Sequence, residues 1–160
     1  MNRKLFLAFV CTFAIYAGCY HGVPLKPIQG PSPKPYPIMD PRGAFKSGPF
    51  YVDLDNISKP FLHEQCVGHW DPPAPPKGGG SGPTSGASDL AATWDIVYGA
   101  GYYEKTVLNA KLCARGSGKS KHGTTLEAEM CQFEEQFKGK LQIKKRGVAR
   151  DNNNNVYQIE

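Results

Sequence analysis

Three side chains able to bind metal or act as nucleophiles stand close together: His63, Cys66 and His69, within His63-Glu64-Gln65-Cys66-Val67-Gly68-His69-Trp70-Asp71-Pro72. Imidazole is a ligand for copper and zinc, and outside a cell copper is the realistic guest. His63 and His69 are therefore the candidate metal ligands. Two donors bind such ions poorly, and useful sites need three or four with oriented partners behind them. Copper is thus conceivable, and otherwise no cofactor is expected. Other motifs fail on spacing. His63-Glu64 opens like a zinc-protease helix motif, but Val67 stands where the second His must fall. Gly118-Lys119-Ser120 suggests a phosphate loop, but Cys113 occupies the place of its first glycine. No serine carries the surroundings of a nucleophile elbow. No catalytic set emerges, and the residues read as those of a non-enzyme.

The same stretch resembles the extracellular copper/zinc superoxide dismutase family. There a His-Glu pair, a cysteine and a Gly-His-aromatic-Asp/Asn-Pro run occur in that order. Here His63-Glu64, Cys66 and Gly68-His69-Trp70-Asp71-Pro72 follow it, and a Gly/Pro-rich loop and Thr93-Trp94-Asp95-Ile96-Val97-Tyr98 come next. The resemblance covers about residues 48–101. It implies His63 as a copper ligand, His69 as the metal-bridging ligand and Cys66 as half of a disulfide. Phe61 stands where the family has a further His, and Gly101-Tyr102-Tyr103 lacks the zinc carboxylate. The module therefore reads as degenerate: a secreted, non-enzymatic structural or interaction protein. The alternative is a weak copper-dependent superoxide dismutase-type redox enzyme, with His122 or His21 completing its site.

The N-terminus indicates the compartment. Asn2-Arg3-Lys4 precedes the apolar run from Leu5 to Tyr16, and Ala17-Gly18-Cys19 are small. Residues 1–19 have the form of a secretory signal, too short to span a membrane, so no membrane span is expected after its removal. Export allows disulfides, with Cys66, Cys113 and Cys131 as the candidates. Closing the loop between Cys113 and Cys131 would stabilise by about 3 kcal/mol. Cys66 with Cys113 is equally allowed, so the pairing stays open. Asn56-Ile57-Ser58 is an N-glycosylation sequon. Lys144-Lys145-Arg146 suggests a second alternative, a secreted precursor or effector processed after Arg146. The net charge of +5 includes Arg3 and Lys4, so +3 remains without the signal. That is too slight for nucleic acid. Clustered lysines and arginines between Lys111 and Arg150 instead suit an extracellular protein, matrix or polyanionic polysaccharide.

The elements that must position these residues are sparse. Of fourteen prolines, eight lie between Pro24 and Pro49, which predicts a Pro-rich extended arm over 20–49. A single small domain over 50–148 follows, interrupted by a Pro/Gly-rich loop at 72–88. Alternation predicts strands at Phe50–Leu54, Thr93–Tyr98 and Lys140–Lys144. Leu126, Met130, Phe133 and Phe137 fall at helical steps, predicting a helix over 124–138 that Gly139 ends. Residues 149–160, with Asn152 to Asn155 in a row, read as a disordered tail. A lipocalin comparison around Trp94 and Cys113 is set aside, since the residues after Trp94 are too few for an eight-stranded barrel of ordinary strands. The expected fold class is mostly β: a small disulfide-containing β-sandwich-like module with one C-terminal helix and long irregular Pro/Gly-rich segments.

Overall fold

The computed structural model describes residues 22–30, 36–39, 43–55, 63–76 and 87–160. The signal at 1–19 and the Asn56 sequon lie outside them. The described chain is mostly β. Its strands are β1 (Val23–Gln29), β2 (Tyr36–Met39), β3 (Gly48–Asp55), β4 (His63–Trp70), β5 (Leu112–Ser120), β6 (Thr125–Phe137), β7 (Lys140–Asp151) and β8 (Val156–Ile159). Helices α1 (Ala87–Tyr98) and α2 (Tyr102–Lys105) lie between β4 and β5. Each strand runs antiparallel to the next, and β8 pairs back on β1. The sandwich-like expectation thus resolves into one sheet closed as an eight-stranded barrel. Four strands precede Trp94 and only four follow it, so the residues after Trp94 suffice.

Four expectations are corrected, three of them in the strands. The arm at 20–49 supplies β1, β2 and the start of β3. Proline's fixed φ suits extended backbone, and its missing amide is harmless where no ladder bond is needed. Pro24 faces Pro37, and the register shifts between Pro27 and Gln29. The tail at 149–160 closes the barrel. Its asparagines make the β7–β8 turn, with Asn154 at positive φ, a conformation that asparagine tolerates. The helix at 124–138 is strand β6. Leu126, Ala128 and Met130 point into the barrel while Glu129, Cys131 and Phe133 lie buried outside it, so burial on both faces mimics helical spacing.

Outer burial comes from α1 and α2. The predicted strand at 93–98 is helical. Leu90, Trp94 and Val97 share one side, which packs with Val107, Phe133 and Val148, while Ile96 faces solvent. Trp94 stacks with Tyr98 and Tyr102 at centroid distances of 5.3 and 6.0 Å. Asp95 fastens the two helices, accepting from the Gly101 and Tyr103 amides at 2.9 Å each. Among the described residues, no helix is long and apolar enough to cross a membrane.

Large and small residues alternate across the β3–β5 wall of the barrel core. Phe50 and Trp70 lie 5.0 Å apart, each over the glycine paired with it on the adjoining strand, Gly68 and Gly116. A Cβ at Gly68 would fall 2.2 Å from the Phe50 ring, and one at Gly116 2.7 Å from Trp70. Only glycine leaves room for these rings.

Candidate functional site at the barrel mouth

The barrel has two chemically different ends. At one, Asp151 accepts hydrogen bonds from Asn155 Nδ2 at 2.7 Å and the Tyr157 hydroxyl at 3.0 Å. Its other oxygen accepts from the Asn153 and Asn155 amides at 2.9 and 3.0 Å. That carboxylate is saturated by its own turn, a structural use of a buried acid.

At the other end lies a cavity of about 490 Å³. Its inner lining is Val23, Ile38, Ala44, Trp70 and Met130, from β1, β2, β4, β6 and the short 3₁₀ turn Ala44–Lys46. That turn lies across the mouth between β2 and β3, where the Ser47 hydroxyl donates to the Trp70 carbonyl at 2.8 Å. Phe45 closes the side, with Lys145 Nζ 5.5 Å from its ring centroid. Lys46, Lys145 and Glu160 form a polar rim. Glu160 is engaged by Lys26 and accepts from Gln158 Nε2 at 2.8 Å.

One polar atom inside the barrel stands out. Trp70 is 1% exposed, and its indole Nε1 has no hydrogen-bond partner among the described residues. Leaving such a donor unsatisfied costs about 1–3 kcal/mol. The other tryptophan shows the usual solution: Trp94 Nε1 donates to Glu129 Oε2 at 2.7 Å. Trp70 is part of the lining of the apolar cavity, and an indole donor in such a site can be satisfied by a ligand that brings its own acceptor. Trp70 stands inside the same 63–72 stretch as the two histidines. The signal that could have found it is its phase in β4, two and four residues after Gly68 and Cys66 on the inward face.

The predicted site residues are not brought together. His63 opens β4 and His69 nearly ends it, six residues apart on one strand. At strand rise that is about 20 Å, far beyond the reach of one ion. His69 is exposed, and His122 lies exposed in the β5–β6 turn, at the end of β4 where His63 begins. The pair offered for copper therefore does not fit a metal site. The disulfide joins Cys113 to Cys131, directly opposite each other on β5 and β6. Cys66 is not part of it and points into the barrel, Sγ 3.6 Å from the Thr124 carbonyl oxygen. The role of disulfide half that the resemblance implies for Cys66 is thereby corrected. Cys113, Cys131 and Glu129 do cluster, but the two sulfurs are bonded to each other and offer no thiolate.

Glu129 centres a second polar group, under α1. It is fully buried and takes a hydrogen bond from Arg115 Nε at 2.6 Å. Burial alone would lower the Arg115 pKa, but the adjoining Glu129 carboxylate and Tyr103 hold it above its ordinary value. Burial, then the Glu129 charge, raises the Tyr103 phenol. This cluster fastens the helical layer to the barrel. No family model, curated protein or solved structure matches the chain.

Proposed function

We propose that the chain is an exported, non-enzymatic binding protein whose barrel mouth takes one small, largely apolar molecule carrying a hydrogen-bond acceptor. The observation that supports this reading is Trp70, which lines an apolar cavity of about 490 Å³ and whose buried Nε1 has no partner among the described residues. That volume lies within the range of small-molecule sites, and eight strands leave an interior able to hold one such ligand. Secretion rests on the N-terminal signal pattern and accords with the disulfide.

Titration of the purified chain with medium-chain ketones and with alkanes of equal length, followed by tryptophan fluorescence and calorimetry, tests it. The ketone should bind roughly tenfold tighter, the effect of one satisfied indole donor. Trp70→Phe should remove that preference and keep apolar binding. Equal binding of ketone and alkane to the unaltered chain, or none, would refute the reading.

A further inference from the structure

The β5–β6 ladder ends at Leu112 opposite Gln132, and the β7–β8 ladder ends at Gly147 opposite Ile159. The β6–β7 ladder continues for five further pairs, from Phe133 opposite Lys144 to Phe137 opposite Lys140. No other strand among the described residues flanks these pairs, so a two-stranded hairpin extends about 15 Å past the sheet at the mouth end. Its turn is Lys138-Gly139, both at positive φ, the geometry of a tight two-residue hairpin.

The end of this hairpin has an unusual surface. Phe137, Leu141 and Ile143 are 53%, 63% and 56% exposed. Leu141 and Ile143 share one face with Gln136, and Phe137 shares the other with Lys140. Apolar groups on both faces suit immersion of the end better than a lateral contact. From Gln136 to Lys145 there are four lysines and no acid. The nearest carboxylates are already occupied: Glu134 by Lys111 at 2.7 Å, and Glu135 by Lys144 and Arg146 at 2.8 Å each. Lys138, whose Nζ lies 5.4 Å from the Phe137 ring centroid, and Lys140 pair with no carboxylate among the described residues and can meet an outside anion. An apolar tip ringed by lysine matches a surface with negative charge outside and hydrocarbon beneath. A polysaccharide would use the lysines and gain nothing from the three apolar side chains.

We propose that the tip of the β6–β7 hairpin docks on an anionic phospholipid surface, with Phe137, Leu141 and Ile143 entering the headgroup region and Lys138 and Lys140 meeting lipid charge. The unpaired strand edges resist hydrocarbon, so penetration ends at the headgroups. Lys145 joins the hairpin base to the cavity rim, so docking brings the mouth towards the lipid. The inference stands on the hairpin alone, whatever the cavity holds.

Co-sedimentation of the full chain with phosphatidylcholine vesicles, with and without phosphatidylserine, decides it. The chain should pellet with phosphatidylserine vesicles and release as salt rises. Lys138→Gln with Lys140→Gln, and separately Leu141→Gln with Ile143→Gln, should each weaken binding by about tenfold or more. Both pairs lie beyond the closed barrel and should keep the parent thermal melt. Absence of sedimentation overturns the proposal. So does heparin binding that the leucine and isoleucine changes leave untouched while vesicles are ignored, which would assign the tip to polysaccharide.

Discussion

Glu129 illustrates how one residue holds two layers together. It sits on β6 among outward-facing side chains, where solvent would normally meet it, but α1 covers it. Its two oxygens then serve different partners, Arg115 from β5 and Trp94 from α1. A neutral amide can still accept from Trp94 but leaves Arg115 without its counter-charge. Glu129→Gln should therefore cost about 1–2 kcal/mol, and Glu129→Leu, which orphans both donors, at least about 3 kcal/mol. Urea unfolding of the two variants checks the order. Equal losses would mean that the carboxylate's charge carries the whole effect and that the acceptor for Trp94 adds nothing. Little of this was legible beforehand, because a glutamate between Ala128 and Met130 is also what an exposed strand face would carry.

At the level of elements, β6 and α1 exchanged roles relative to their sequence patterns. β6 is sandwiched between the barrel interior and α1, so its apolar residues appear on both faces and lose the period of two. Trp94, Ile96 and Tyr98 alternate in size, but Leu90, Trp94 and Val97 carry the helical repeat that decides burial. The disulfide clamps β5 to β6 where the barrel ladder gives way to the hairpin. Replacing Cys113 and Cys131 by serine together should lower stability by about 3 kcal/mol, read from the urea midpoint. The shift should come without loss of ketone binding, because neither sulfur lines the mouth cavity.

For the molecule as a whole, closure is the property on which the rest depends. β8 supplies Tyr157 and Ile159 to the interior and covers the edges of both β1 and β7. Cleavage after Arg146 would remove β8 and the inner end of β7. Arg146 is itself held in the ladder, with its guanidinium on the Tyr102 hydroxyl at 2.9 Å and on Glu135 at 2.8 Å. A chain ending at Arg146 should lose its cooperative thermal transition and its ketone binding, observed by circular dichroism and calorimetry. A sharp melt from that shortened chain would restore the precursor reading.

Local chemistry settled the mostly β character, the strands at Phe50–Leu54 and Lys140–Lys144, the disulfide candidates and the failure of the short catalytic motifs. Each depends on neighbours a few residues away. Only the tertiary structure decided that the proline-rich start and the asparagine-rich end are barrel strands, since β1 and β8 pair with each other from opposite ends of the chain. It alone separated His63 from His69 along one strand, and it alone turned Trp70 inward beside a cavity. Which side of a strand faces a ligand depends on register and closure, and those are fixed by contacts that no local pattern contains.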